Sequence, residues 1–125
     1  MHTPRHDGTP PIQPDPVDLL RQRLEADLRQ AIKDRETLTV RTLRSVIGRL
    51  DNASAVEQTA AHTPVYGRSA DVPRRVLTLE EIHALLRSEA NERKAASAQY
   101  EQLGQSEHAA RLRAESVIVE RYLGL

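Results

Sequence analysis

Three charged residues occupy positions that helical periodicity predicts to be apolar. Glu89 and Arg93 fall in the apolar stripe of one predicted helix, and Glu115 falls in the stripe of the next. Two buried carboxylates beside an arginine can act as an acid and a base, because burial and like charge raise the pKa of one of them. The three side chains can instead form a structural ion-pair cluster, with Arg93 bridging both carboxylates. No nucleophile or phosphate-binding loop accompanies them, which favours the structural cluster and predicts no catalytic residue.

The spacing of these charges around Gly104 predicts the elements that position them. Arg93 lies eleven residues before Gly104, and Glu115 lies eleven residues after it. A chain that reverses at Gly104 therefore brings Arg93 and Glu115 to the same height of an antiparallel helical hairpin. Glycine suits this position because it readily adopts the left-handed conformation that ends many helices.

Both arms of the hairpin carry helical signals. A capping box of Thr78 and Glu81 predicts a sharp start for the first arm, which continues for about 25 residues until Gly104. Ser106 is expected to cap the second arm. The predicted inward positions are Ile82, Leu85, Leu86, Ala96, Tyr100 and Leu103 in the first arm and Ala109, Leu112, Ser116, Val119, Tyr122 and Leu123 in the second.

Two further helices are predicted in the first half of the chain. The first begins at Asp15 or Pro16, where aspartate can cap and proline suits the first helical position, and runs to about Arg35. The second spans about residues 36–52. Their apolar faces comprise Leu20, Leu24, Leu28, Ala31 and Ile32 in the first and Val40, Leu43, Ile47 and Leu50 in the second.

Two segments lack helical periodicity. Residues 1–16 contain five of the seven prolines, so we expect a disordered Pro-rich tail that cannot offset the entropy of ordering. Residues 53–76 are predicted to form a long loop. The expected fold class is all-α, a small bundle of about four helices in one domain over residues 17–125, with a long antiparallel C-terminal hairpin.

Arginines of the second helix and of the predicted loop are candidates for contact with an anionic partner. Neighbouring acidic residues favour solvated helix surface for the helical ones. In the alternative, they form a basic ridge that contacts RNA phosphates. The possible RNA-binding residues are Arg41, Arg44, Arg49, Arg74 and Arg75.

Composition limits the remaining functions. The 125 residues have a formal net charge of zero, so any contact with nucleic acid has to be local. Cysteine is absent and the five histidines lack the spacing of a helical zinc pair, so we predict neither a metal site nor a cofactor. The chain has no export signal and no apolar run of membrane-spanning length, which predicts a soluble cytoplasmic protein without membrane contact.

Several motifs together resemble the GatB/YqeY family. The first half contributes the stretches LRQRLEADLRQAIK, residues 20–33, and LTVRTLR, residues 38–44. The second half contributes LTLEEI at 77–82, the Glu89 and Arg93 pair, YEQLG at 100–104, Glu115 and Tyr122-Leu123. These motifs follow the family's order and approximate spacing over most of residues 18–123.

The resemblance implies an all-helical module similar to the region near the C-terminus of the B subunit of glutamine-dependent, tRNA-linked amidotransferases. In that enzyme the amidation site lies elsewhere, and the helical region with its tail helps to engage tRNA. Family members commonly continue past a Tyr-Leu-Pro turn into a second helical domain. Gly124 replaces that proline and the sequence ends at Leu125, so a short form lacking the tail domain is expected.

Three functional interpretations follow. The favoured one is a non-catalytic binding or accessory module linked to tRNA-dependent amidation, with tRNA or a protein as partner. The second is a protein-interaction or self-associating module, for which Leu79, Val117 and Ile118 are candidate exposed apolar residues. The third is a carbon-nitrogen ligase with glutamine as amido-nitrogen donor, which the family association suggests although no activated nucleophile is visible.

Overall fold

The computed structural model describes residues 15–61 and 76–124, and within these ranges the chain forms four α-helices and no strand. They are α1 (Pro16–Lys33), α2 (Thr37–Ala61), α3 (Leu79–Gln102) and α4 (Ser106–Glu120). The prediction of an all-α bundle of about four helices is confirmed. None of these helices, in the part of the chain that is described, is long and apolar enough to cross a membrane.

Helices α1 and α2 form the first hairpin. The Asp15 side chain caps α1 by accepting a hydrogen bond from the Val17 N–H at 3.1 Å, and Pro16 follows as the first helical residue. The chain then reverses at Arg35, whose φ of 58° is left-handed. The predicted tail over residues 1–16 lies outside the described residues except for Asp15 and Pro16.

Helix α2 is longer than its apolar pattern predicted. It continues to Ala61, so residues 53–61 are helical rather than part of a loop, and residues 62–75 lie outside the described ranges. The extension is rich in alanine and also contains glutamate and glutamine, which favour helix without adding large apolar residues to the pattern. Ser54 fits the same helix because its buried hydroxyl donates to the Leu50 carbonyl at 3.3 Å.

Helices α3 and α4 form the predicted antiparallel hairpin and the most extensive helix pair of the bundle. The capping box is present: the Thr78 hydroxyl accepts from the Glu81 N–H, and the Glu81 carboxylate accepts from the Thr78 N–H. Gly104 has the left-handed φ of 78° that the reversal requires. The expected cap at Ser106 is wrong, because Ser106 is already helical and Gln105 precedes it without a side-chain cap bond.

One aliphatic core joins the four helices, with Leu24, Leu43, Ile82 and Val119 each completely buried. Tyr122, just after α4, belongs to this core, and its hydroxyl donates to the Asp27 carboxylate of α1 at 2.6 Å. Burial and then this hydrogen bond raise the pKa of the Tyr122 phenol well above its usual value.

Three apolar residues lie differently from their predicted positions. Leu103, predicted to face inward, is 69% exposed because it follows the last residue of α3 at the turn. Ile32 was placed on the inward face of α1 but is 48% exposed, because α1 ends at Lys33 and the chain turns away. Ile118 was a candidate surface residue but is only 5% exposed, whereas Val117 is exposed as expected. Val117 and Ile118 are consecutive and therefore point to different sides of α4, and only the side that carries Ile118 packs against the core.

Candidate functional site

The charged residues Glu89, Arg93 and Glu115 lie together where α3 packs against α4. Arg93 Nη1 donates to Glu89 Oε1 at 2.9 Å, and Arg93 Nε donates to Glu115 Oε1 at 3.0 Å. Arg93 is thus the bridge between a carboxylate of its own helix and one of the neighbouring helix. Its side chain is only 12% exposed, so these charges interact with little screening by solvent.

Helix α2 completes the cluster from a third side. The Ser45 hydroxyl accepts a hydrogen bond from Arg93 Nη2 at 3.1 Å, and Arg49 Nη1 donates to Glu89 Oε2 at 2.6 Å. Both oxygens of Glu89 therefore accept hydrogen bonds from arginine. The sequence interpretation missed these α2 contacts. The signal that could have found them is the i, i+4 spacing of Arg41, Ser45 and Arg49, which puts all three on one face of the helix.

Glu115 is the incompletely satisfied member of the cluster. Its Oε1 accepts from Arg93, but its Oε2 is buried and has no hydrogen-bond partner. Arg41 Nε lies 3.7 Å from this Oε2, within ion-pair range but without a hydrogen bond. Because a buried charged acceptor without a donor is costly, Glu115 Oε2 is the atom of the cluster that a ligand's donor group would satisfy.

The five arginines predicted as possible RNA-binding residues fall into three groups. Arg41 and Arg49 are surface residues that also pair with the buried carboxylates, so they are not purely solvated surface. Arg44 is exposed and forms no ion pair with any residue in the described ranges. Arg74 and Arg75 lie outside the described residues.

An open groove of about 540 Å³ runs between α2 and α3 beside the cluster. We call it the α2–α3 groove. Its lining includes Arg44, Ser45, Gly48 and Asn52 from α2, Glu92 and Ala96 from α3, and Glu115 from α4. The groove is open to solvent, whereas the Glu115 Oε2 atom beside it is buried.

The arrangement is suited to binding polar groups. Its arginines donate in several directions, and Glu115 Oε2 is an acceptor without a hydrogen bond. Among the described residues, no group of three or more histidine, aspartate and glutamate side chains is arranged to hold a metal ion.

The histidine at 108 stacks on the Tyr100 ring at a centroid distance of 3.8 Å, at the far end of the hairpin near Gly104.

Comparison with known proteins gives one finding. A family model described as "Yqey-like protein" matches residues 21–124, which covers all four helices almost completely. No curated protein and no solved structure shows significant similarity to the chain.

Proposed function

This chain belongs to the YqeY-like family, and on that premise we propose that it is a non-catalytic helical module that binds RNA, with tRNA as the favoured class. The family resemblance supports this proposal, because the similar helical region of the amidotransferase B subunit, together with its tail, helps to engage tRNA. The module would then act as an accessory to an RNA-linked reaction that is carried out elsewhere.

The arginines of α2 are the structural observation that carries the proposal. Arg44 is exposed and unpaired within the described part of the chain, and the Arg41 side chain is 66% exposed. Phosphate groups attract such arginines and can receive two parallel hydrogen bonds from one guanidinium. The four arginines of the cluster and groove outnumber their three glutamates by one positive charge, so we expect weak binding that salt reduces.

An electrophoretic shift titration with tRNA at two salt concentrations tests this function. We expect binding at micromolar protein that weakens as salt rises, and Arg44→Gln should weaken it further because one phosphate contact is lost. Arg29→Gln is the matched control, since Arg29 is an exposed arginine of α1 away from the groove. Absence of salt-sensitive binding by the unmodified chain would refute the RNA proposal.

Arg74 and Arg75 require a separate test because they lie outside the described residues. A double variant, Arg74→Gln with Arg75→Gln, should reduce the salt dependence of tRNA binding if both residues contact phosphate. An unchanged salt dependence would remove these two residues from the proposed interface.

A protein partner is the second candidate, and an apolar groove favours it. This groove, about 450 Å³ in volume, lies between the starts of α1 and α3 and is lined by Leu19, Leu79 and Tyr122 among others. Leu19 and Leu79 are each about half exposed. Self-association through this face predicts a mass that rises with concentration in light scattering and falls for the Leu19→Gln, Leu79→Gln double variant. A strict monomer at all concentrations would argue against it.

The ligase interpretation has a direct biochemical test. Glutamine-dependent amide formation by the purified chain, abolished by one point substitution, would show that the module is an enzyme and would overturn the non-catalytic proposal. We expect no such activity, because both oxygens of Glu89 and one of Glu115 are held by arginines.

A further inference from the structure

The buried, unpartnered oxygen of Glu115 indicates what kind of group a ligand of the α2–α3 groove would present. A carboxylate oxygen can only accept hydrogen bonds, so the missing partner is a donor, such as a hydroxyl or an amine. Glu115 is 5% exposed, and it lines the groove. A donor group that enters the groove and reaches Glu115 Oε2 would supply the missing hydrogen bond.

The charges around the groove select among ligands that carry such a donor. Arg44 lines the groove and is unpaired within the described ranges, and Arg41 lies beside Glu115 Oε2. The lining contains three arginines and three glutamates, so it is the unpaired Arg44 that favours an anionic group over a cation. The ligand chemistry that fits is an anion joined to a hydroxyl.

Gly48 leaves the wall of this groove open along the backbone of α2. It lies inside α2, where glycine is less favourable than alanine by about 1 kcal/mol. Yet a β-carbon added at Gly48 would meet no atom within 4 Å, so helix packing does not require a glycine. Because Gly48 lines the groove, its missing side chain leaves room for close approach of a ligand to the helix backbone.

From these observations we propose that the α2–α3 groove is a ribose phosphate site. The phosphate binds to Arg44 and draws the exposed Arg41 side chain away from Glu115, and a ribose hydroxyl then donates to Glu115 Oε2. This inference deepens the RNA-binding function and rests on it. It also predicts that the groove binds RNA more tightly than DNA, because DNA lacks the 2′-hydroxyl that can donate at this position.

Fluorescence anisotropy with single-stranded RNA and DNA oligonucleotides of matched sequence tests the proposal. We expect the chain to bind RNA about tenfold more tightly than DNA, the effect of one hydrogen bond to a buried charged acceptor. Glu115→Gln should reduce this difference several-fold, because the hydroxyl then meets a neutral amide instead of a charged carboxylate. Equal binding of both strands would overturn the ribose site while leaving the RNA-binding function intact, whereas binding of neither strand would refute that function.

Gly48→Leu is a variant that keeps the test decisive if Glu115→Gln fails to fold. Leucine favours helix over glycine and meets no neighbour at its β-carbon, so the variant should fold at least as stably as the unmodified chain. Its side chain would occupy the groove, and we expect RNA affinity to fall by about tenfold or more. A well-folded Gly48→Leu chain that binds RNA as before would contradict the site, and Arg29→Gln serves again as the control.

Competition distinguishes an RNA strand from a free nucleotide as the source of the ribose phosphate. Displacement of labelled RNA by a ribonucleoside monophosphate, but not by its deoxy counterpart, would show that the groove accepts the free nucleotide. Displacement by neither, with the RNA preference intact, would assign the groove to the strand. Equal displacement by both would overturn the role of the hydroxyl.

Discussion

The charged cluster depends on the particular chemistry of arginine. Arg93 uses Nε, Nη1 and Nη2 to contact three different helices, donating to Glu115 of α4, Glu89 of its own helix and Ser45 of α2. A lysine ammonium could not present donors in this planar arrangement. Two buried carboxylates without such a partner would each cost several kcal/mol to remove from water. The cluster therefore fixes how the three helices align more than it adds net stability.

Replacing Arg93 should be strongly destabilising. Arg93→Met keeps an unbranched apolar stem but removes the guanidinium that Glu89 and Glu115 share, and we expect a loss of about 3–5 kcal/mol in the free energy of unfolding. Urea denaturation measures it. Arg87→Met on the exposed face of the same helix is the control and should change stability by about 0.5 kcal/mol or less. A similar small effect at Arg93 would contradict the structural role.

Tyr122 should make stability depend on pH under alkaline conditions. Its folded-state pKa is raised by burial and by the hydrogen bond to Asp27, so the unfolded chain loses this proton first as pH rises. The contribution is complete below about pH 10 and is lost as pH rises above it, with a slope of up to about 1.4 kcal/mol per pH unit. Tyr122→Phe should flatten the alkaline fall seen by urea denaturation. An identical fall in both chains would rule out Tyr122 as its origin.

At the scale of the elements, local residues account for the starts of α1 and α3 and for the turn after α3. Asp15 and the Thr78 capping box satisfy N–H groups at the starts of α1 and α3, and Gly104 allows the left-handed turn after α3. Helix α4 differs because Gln105 provides no side-chain cap. Its start is held by the turn, in which the Gln105 N–H donates to the Tyr100 carbonyl at 2.9 Å.

The two helix starts give a matched pair of substitutions. Thr78→Ala removes a hydroxyl that accepts from the Glu81 N–H at 3.0 Å, and it should cost about 1 kcal/mol of stability. Ser106→Ala removes a hydroxyl of the same kind that caps nothing, so it should have almost no effect or a slight gain. Thermal denaturation of the two variants measures both. Equal losses would show that α4 also depends on a side-chain cap.

At the scale of the molecule, two helical hairpins share one core. The α1–α2 pair and the α3–α4 pair each pack extensively, and buried side chains from all four helices form one contiguous cluster. Among the described residues, the core consists of aliphatic side chains and Tyr122, and the chain contains neither phenylalanine nor tryptophan. Because neither hairpin can bury its apolar face alone, we expect the bundle to unfold as one cooperative unit.

A core substitution in α1 tests this cooperativity. Leu24 is completely buried, so Leu24→Ala should lower the free energy of unfolding by about 2–5 kcal/mol through lost burial and a residual cavity. Exposed Leu19→Ala is the control and should cost much less. Hydrogen exchange should show the loss of protection in α3 and α4 as well as in α1. Loss confined to the first hairpin would mean that the two hairpins unfold separately.

Elements with local causes were predictable from the order of the residues. Apolar spacing, the Asp15 and Thr78 caps and the position of Gly104 predicted four helices and the register that brings Arg93 to Glu115. These features depend on hydrogen bonds and side-chain contacts within about one helical turn. The end of α2 was missed because alanine stabilises a helix without producing an apolar stripe.

The surroundings of the cluster depend on how the helices pack against one another. The contacts of Ser45 and Arg49 with α3, the unpartnered Glu115 Oε2 and the α2–α3 groove arise from how α2 lies across the second hairpin. Those contacts join residues about 40 or more positions apart, and local periodicity carries no information on the relative placement of helices so separated. The proposed binding site therefore results from helix packing, whereas the helices that form it are determined by the local sequence.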